Sequence, residues 1–396
     1  MAYNETPNKP NILYVFGGEK AQGAEIVIER LMAYNNDNVN THLIMSPGDF
    51  ADSLISSNKP YQIQLLTDLK KLNRSSSVGI TFLFKAVKNY FSVSYEVGKY
   101  IVRNKIRIVH ANTIVPASYL VPLIIYARLF MPRVKWYWSD HDMRYFSGLE
   151  TTLSKFCTTM YDKTLVVSAA VKRKYGLNAG RVEVLYNGLD TQIFKPDEQQ
   201  RQDFRQKWGL TAENITIGMV AVINPDKNQL ALIEVFNQLN LIYPNSRLLL
   251  AGSYASQFPE YSVEVKQAIN RSPKVTHVGF LSNIVDFYNG CDIIVSNSNA
   301  NRSESLGTSI YEAMACEKLV VAADTGGTPE IIDDKINGLM FRTDDLTDLK
   351  SKLAFALEHY HELATVKYAG RAKAQSKFSI NAMVKNYNSI IHIDNN

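Results

Sequence analysis

At 396 residues the chain is too long for a single hydrophobic core, so two domains of ordinary size are expected. A composition of 46% hydrophobic and 20% charged residues, with no low-complexity tract, excludes a disordered or fibrous chain. Net charge is only +5, and three scattered cysteines and seven histidines show neither CxxC nor metal-ligand spacing, so no disulfide framework or metal centre is expected.

The first residues (MAYNETPNKPNILYVF) lack the basic and apolar regions of a signal peptide. Cys157, Cys291 and Cys316 read as reduced, buried side chains, which fits a cytoplasmic protein. Asn11–Phe16 (NILYVF) is an apolar run that ends at Gly17-Gly18 and is followed by a helical pattern over 24–34. Further strands are expected at Thr41–Met45, Ile106–His110, Lys135–Trp138, Lys163–Val167 and Val182–Leu185. Thr113–Met131 approaches membrane length, but its two prolines and Arg128 favour a buried crossover helix.

Charge is unevenly placed. Between Lys70 and Arg107 nine basic residues face one acid, Glu96, with aromatics interleaved from Phe82 to Tyr100. Such a stretch suits an anionic membrane surface or a charged acceptor, or it is the solvated face of a helix pair.

The second half restarts the alternation. Strands are expected at Ile215–Val222, Ser246–Leu250, Lys274–Val278, Asp292–Val295 and Leu319–Ala322, with helices over Lys227–Leu241 and Leu346–His359. Alternating strands and helices imply parallel α/β layers, here two doubly wound units in series. The linker is placed at Asn187–Asp203, where NGLD, KPDEQQ and a charge run break the period. Ligands in open α/β sheets bind beyond the carboxyl ends of the strands, so two facing sheets would share one central cleft.

Residues 304–312 (ESLGTSIYE) hold two glutamates around a helix start near Gly307–Ser309. Unpaired backbone N–H groups there favour a bound phosphate. Gly307 permits close approach, Thr308 adds a hydroxyl, and Glu304 and Glu312 suit sugar hydroxyls. A diphosphate with a sugar ring at each end would satisfy them all. Two exposed charges near a helix start would read the same way, so other elements must decide. Asn224-Pro225-Asp226 reads as a turn and cap with Lys227 opening the helix, a cation placed for a phosphate. The Gly-Gly turn in Asp324–Glu330 (DTGGTPE) would let backbone approach a ligand.

In order, ESLGTSIYEAMAC, LVVAADTGGTPEII and INGLMF, with KTLVVSAAVKRKYG and RVEVLYNGLDTQIFKP upstream, resemble the retaining glycosyltransferases of family 4, which have the GT-B fold. GGEKAQGAE (17–25) and SDHDMRY (139–145) resemble the family's glycine-rich turn and its His-Asp segment, so the likeness spans nearly the whole chain. It implies two Rossmann-like domains facing a cleft: 1–190 for the acceptor, 191–377 for a nucleotide-sugar, and a last helix over about 378–396 packing back on the first. It implies that Glu304 holds the donor sugar's hydroxyls, Glu312 the ribose, and the backbone of Leu306, Gly307 and Thr308 the diphosphate. Lys227, with Asn224 beside it, would neutralise the leaving phosphate, and His141 would sit beside the anomeric carbon. Gly23, with Gly18, would approach the phosphate or acceptor, and Val278–Leu281, ending at Leu281, would pack against the base.

Three places depart from the family pattern, one of them Glu317-Lys318, where a glycine usually follows the cysteine. Val222 stands where an arginine is usual, which leaves Arg302 as the candidate substitute cation, and Ser305 replaces a glycine in the donor loop. Asp140-His141-Asp142 spells DxD, a metal motif in a different glycosyltransferase fold, and His110 is a further site candidate. The expected activity is metal-independent sugar transfer, with retention, from a nucleotide diphosphate-sugar, and no cofactor. The expected acceptor is a glycan or lipid-linked hydroxyl in cell-surface polysaccharide or glycolipid assembly, at the cytoplasmic face of the membrane, with no nucleic acid as partner. A catalytically weakened nucleotide-sugar-binding subunit and a nucleotide-sugar epimerase are the alternatives.

Overall fold

A computed structural model describes residues 9–69, 80–143, 148–302 and 304–393. The chain divides into one unit of 1–188 with 380–396 and another of 189–379.

In the first unit β1 (Asn11–Phe16), α1 (Gly23–Asn35), β2 (Asn40–Met45), α2 (Asp49–Ser56) and β3 (Gln62–Leu65) lead to the long α3 (Ile80–Arg103). Then come β4 (Ile108–Asn112), α4 (Ile114–Tyr119), α5 (Val121–Phe130), β5 (Lys135–Asp140), α6 (Gly148–Met160), β6 (Lys163–Val166), α7 (Ala169–Arg173) and β7 (Val182–Val184). All pairings are parallel, in the order β3-β2-β1-β4-β5-β6-β7. Both faces of such a sheet are covered, which is why NILYVF and IVHAN are apolar without alternation and buried almost throughout. The expected strand at Ile106–His110 begins and ends two residues later, because β4 pairs Ile108 with Ile12 and continues to Asn112 beside Phe16. Thr113–Met131 forms two helices that meet at Leu120, and no described helix is long and apolar enough to cross a membrane.

The second unit opens with α8 (Glu198–Lys207), β8 (Ile215–Val220), α9 (Gln229–Asn240), β9 (Ser246–Ala251), α10 (Pro259–Asn270) and β10 (Val275–Gly279). It continues through α11 (Ile284–Gly290), β11 (Ile293–Ser296), α12 (Thr308–Ala315), β12 (Leu319–Ala323), α13 (Thr328–Ile331), β13 (Leu339–Phe341), α14 (Leu346–Glu358) and α15 (Ala364–Lys377). Its sheet is again parallel, ordered β10-β9-β8-β11-β12-β13. In each sheet the order reverses direction beside the first strand, so both units have the doubly wound Rossmann-like topology.

The end of the expected linker, from Glu198, is helix. α8 (EQQRQDFRQK) has little apolar surface, which hides it in the sequence, yet it is clamped to the second unit. Arg201 and Arg205 pair with the two oxygens of buried Asp292 at 2.7 and 3.2 Å. Phe204 lies against Gly290, where a Cβ would come within 2.0 Å of its ring.

The closing helix α16 (Ile380–Ile390) belongs to the first unit. Ile380, Met383, Val384 and Tyr387 join Ile12, Tyr14, Leu31 and Met32 in one buried cluster. Buried Asn35 and Asn388 exchange two side-chain hydrogen bonds of 2.9 Å.

Candidate functional site

Ligand sites in doubly wound sheets form at the carboxyl edge where strand order reverses, here the ends of β8 and β11. That edge gathers the expected residues of the second unit. After β8 the chain enters a short 3-10 turn, Pro225–Lys227, whose Asn224 side chain accepts the Lys227 backbone N–H at 3.0 Å. Lys227 therefore does not open α9; Asn228, at φ 56°, separates turn from helix. The Asn224 side-chain oxygen thereby places Lys227. The loop after β11 braces the same turn: Asn297 donates to the Asn228 carbonyl at 3.0 Å and Asn299 to that of Pro225 at 3.1 Å.

This scaffold brings Lys227 to Glu304 across 77 residues of sequence, as a partly buried ion pair. Between them buried Ser298 accepts from Lys227 Nζ at 3.2 Å and donates to Glu304 Oε1 at 2.6 Å. Four residues after Glu304, α12 begins at Thr308 behind Gly307, which has φ 86° and lacks room for a Cβ against Ile310. Leu306 is buried, so only its backbone can face a ligand, while Thr308 is exposed and Ser305 half-buried. One turn into the helix, Glu312 Oε2 accepts a 2.8 Å hydrogen bond from the hydroxyl of fully buried Tyr288. Burial, and then the Glu312 carboxylate, push that phenol well above its ordinary value, so it stays a donor.

The Gly326-Gly327 turn packs against the loop that carries Glu304. At Gly326, φ 57°, a Cβ would lie 1.9 Å from the Glu304 carbonyl oxygen, and at Gly327 it would lie 2.7 Å from that of Ser305. The Gly327 N–H donates to the Glu304 carbonyl at 2.9 Å. These glycines let the turn abut the Glu304–Leu306 backbone and fix the loop that carries the first glutamate.

Leu281 follows β10 and is half-buried. Three strand spacings separate β10 from β11, roughly 14 Å, a span suited to an extended dinucleotide-sized ligand. Val222 is 49% exposed and supplies no cation. The Arg302 backbone ends the turn Ala300–Arg302, and its side chain lies outside the described part of the structure.

In the first unit Asn112 ends β4, and Gly18 and His141 follow the carboxyl ends of β1 and β5. His141 Nε2 meets Asn112 Oδ1 at 2.9 Å. His141 is partly exposed, yet its ring sits deep enough that loss of solvent pushes it down to about 4, against the pull of Asp140. The imidazole is therefore neutral at physiological pH, a hydrogen-bonding group without charge. A Cβ at Gly18 would strike the Glu25 carboxylate, which accepts from the Gln22 N–H at 3.1 Å in the cap of α1. Gly23 is exposed with nothing near its absent side chain, so no packing inside the protein demands glycine there.

Two candidates are reassigned. Asp140 of the DxD triplet is held by Lys174 and the Tyr175 hydroxyl, and the described residues contain no cluster of three His, Cys, Asp or Glu side chains that could hold a metal. His110 is not a site residue. It is fully buried, with Nδ1 2.9 Å from the Tyr387 hydroxyl and Nε2 2.7 Å from Ser139 Oγ, and it ties α16 to the sheet. Ser298, Tyr288 and Asn112 escaped the sequence reading. Their one signal there is a polar residue at the end of an apolar strand or helix, which many structural positions share.

Comparison with known proteins shows the family and the fold. Residues 200–373 match the model of Glycosyl transferases group 1, and residues 23–193 match that of Glycosyltransferase Family 4. EpsD of Bacillus subtilis (strain 168), which carries a provisional glycosyltransferase name, is 32% identical over 170 residues, 42% of this chain and 43% of its own length. The uncharacterized glycosyltransferase MJ1178 of Methanocaldococcus jannaschii is 26% identical over 273 residues, covering 67% and 70%. The match therefore spans under half of the first relative and about two thirds of the second. Among solved structures, Anabaena HepE in complex with UDP superposes with TM-score 0.80 at 21% identity, over 96% of this chain and 99% of that one.

Proposed function

This chain belongs to glycosyltransferase family 4, and from that premise we propose that it moves a sugar from a nucleotide diphosphate-sugar to an acceptor hydroxyl with retention at the anomeric carbon. The observation that carries the reading is the meeting of Lys227, Glu304 and the Gly307-capped start of α12 at one sheet edge.

In this reading the diphosphate lies at the start of α12, Glu304 takes hydroxyls of the donor sugar, and Glu312 takes the ribose. The bond from the anomeric carbon to the leaving phosphate oxygen breaks, and negative charge grows on the diphosphate. Lys227 and the N–H groups at Gly307–Ser309 stabilise that charge, an effect of the kind that usually dominates such catalysis. The acceptor oxygen bonds to the anomeric carbon from the face the phosphate leaves, and its proton passes to the departing phosphate. The products are the glycoside and the nucleoside diphosphate, and the scheme uses no metal or cofactor. In the first unit His141, neutral beside Asn112, remains a hydrogen-bonding group without charge.

HepE has been solved with UDP-glucose, which makes uridine donors the first to test. The basic stretch from Lys70 to Arg107, of which 70–79 lies outside the described residues, supports a glycan or lipid-linked acceptor presented at a membrane. A thermal-shift screen over nucleotide-sugars identifies the donor, since a bound ligand raises apparent stability by mass action. Transfer to a hydroxyl acceptor, with the product's anomeric configuration read by NMR, then tests the reaction; an inverted product would rule the mechanism out. Val222 supports a second reading, a binding subunit with weakened catalysis. A donor that stabilises the protein but is neither transferred nor hydrolysed would favour it.

A further inference from the structure

The first unit carries an exposed apolar surface with a basic rim. Along α3, Phe84, Val87, Phe91, Tyr95 and Val102 recur at three- and four-residue spacing with Gly98 in register, a stripe that would ordinarily face a core. All five are exposed, Phe91 at 64%. The neighbouring α5 extends the patch with Ile125, Tyr126, Leu129 and Phe130, Leu129 at 75%. The two helices pack closely at Gly98, where a Cβ would come within 3.1 Å of Leu123. Between them runs a groove of about 870 Å³ lined by Phe91, Tyr95, Val102, Leu123, Tyr126 and Met131, a volume that suits a small-molecule or lipid-chain site.

The rim is basic. Lys88, Lys99, Arg103, Lys105, Arg107, Arg128 and Arg133 are all exposed on or beside the two helices. The one acid within 80–107 is Glu96, which pairs with Lys99 at 3.4 Å, and 114–134 has none. Water alone favours neither an exposed apolar stripe nor an apolar groove, whereas an interface with a hydrocarbon interior and anionic headgroups suits both the groove and its rim.

We propose that the α3–α5 face docks on an anionic phospholipid bilayer, with an acyl chain entering the groove and headgroup phosphates meeting the rim cations. The face lies on the membrane and does not enter it as a span, since no described helix is long and apolar enough to cross. This deepens the membrane-presented acceptor above, and rests on that reading only for the setting in which the protein works.

The test is co-sedimentation of the full chain with vesicles of phosphatidylcholine, alone or mixed with phosphatidylglycerol. Binding is expected only with phosphatidylglycerol present, and it should weaken with salt. Lys88→Gln combined with Arg103→Gln should weaken it about thirtyfold, roughly fivefold for each cation removed near an anionic surface. Phe91→Ser combined with Leu129→Ser, both at exposed positions, should weaken it about tenfold or more. Donor-induced thermal shift should be unchanged in both variants, so failure of docking and failure of the transfer reading separate. The proposal is overturned by indifference to anionic lipid, or by an apolar variant that binds vesicles like the parent. A parent dimer in light scattering that the apolar pair dissociates would overturn it too, assigning the face to a second copy of the chain.

Discussion

Tyr288, with no solvent exposure, donates a 2.8 Å hydrogen bond to Glu312 Oε2, so one oxygen of that carboxylate is fixed from inside the protein. The other oxygen is thereby aimed by a rigid aromatic that sits under α12. Tyr288→Phe removes the donor and keeps the packing. Losing a hydrogen bond to a charged group costs roughly 1.5–3 kcal/mol of stability in free and bound protein alike, and a carboxylate no longer held in place should lower nucleoside diphosphate affinity about threefold or more. A donor lacking the ribose hydroxyls should show no such difference between parent and variant in calorimetry. Equal losses for both nucleotides would mean that Glu312 does not hold the ribose.

Lys227 and Glu304 are the pair on which transfer is expected to depend most. Removing one preorganised charge-stabilising group typically costs on the order of 10²–10³ in kcat, and Lys227→Ala should fall in that range. Glu304→Ala should lose at least as much, because it removes the sugar contact and leaves the lysine without its partner. The two share Ser298, so the double variant should lose less than the product of the single losses. Transfer rates that stay at the parent level in either single variant would remove these residues from the site.

The glycines separate structure from ligand contact. Gly326→Ala puts a Cβ 1.9 Å from the Glu304 carbonyl at a positive φ, so it should destabilise the second unit by about 1–3 kcal/mol or more, visible as a lower Tm. Gly23→Ala meets nothing and should leave Tm unchanged. If ligand backs onto Gly23, the same variant weakens donor or acceptor binding; unchanged Kd and KM would count against that contact.

Acid should weaken the first unit through His110. Burial, reinforced by nearby His141, pushes its imidazole from 6.5 down to about 3, so in acid the unfolded chain takes up its proton before the folded one. The stability is complete above the unfolded value and is lost as pH falls from about 6.5 towards 3. Between neutrality and about pH 5 the loss is on the order of 2 kcal/mol. Denaturant unfolding across that range should show the slope, and His110→Gln should remove about half of it, since His141, pushed down to about 4, titrates against folding in the same window; a parent-like slope in that variant would place the titration elsewhere.

Much of the architecture was legible because buried parallel strands advertise themselves. NILYVF, ITIGMV and LVVAA are apolar without alternation, and strand boundaries drifted by about two residues where pairing, not propensity, sets the end. α8 was read as linker because its attachment is two arginines on one buried aspartate, a relation between residues 91 and 87 apart that no local pattern carries. The Lys227–Glu304 meeting was foreseen through family resemblance, whereas Ser298 and Tyr288 became visible only as partners in space. His110 looked like a site residue because a histidine ending a strand is ambiguous until Tyr387, 277 residues later, is seen against it.

That distance has a consequence for the order in which the molecule can be made. The first 188 residues leave the ribosome well before α16, yet Tyr387 and Asn388 supply partners for His110 and Asn35. Until α16 arrives, a newborn first unit has an uncovered apolar face, and buried His110 and Asn35 each lack one of their partners. The second unit is by then fully synthesised and, as domains generally fold in turn, can finish first. Of the two units, the one translated earlier is thus completed later.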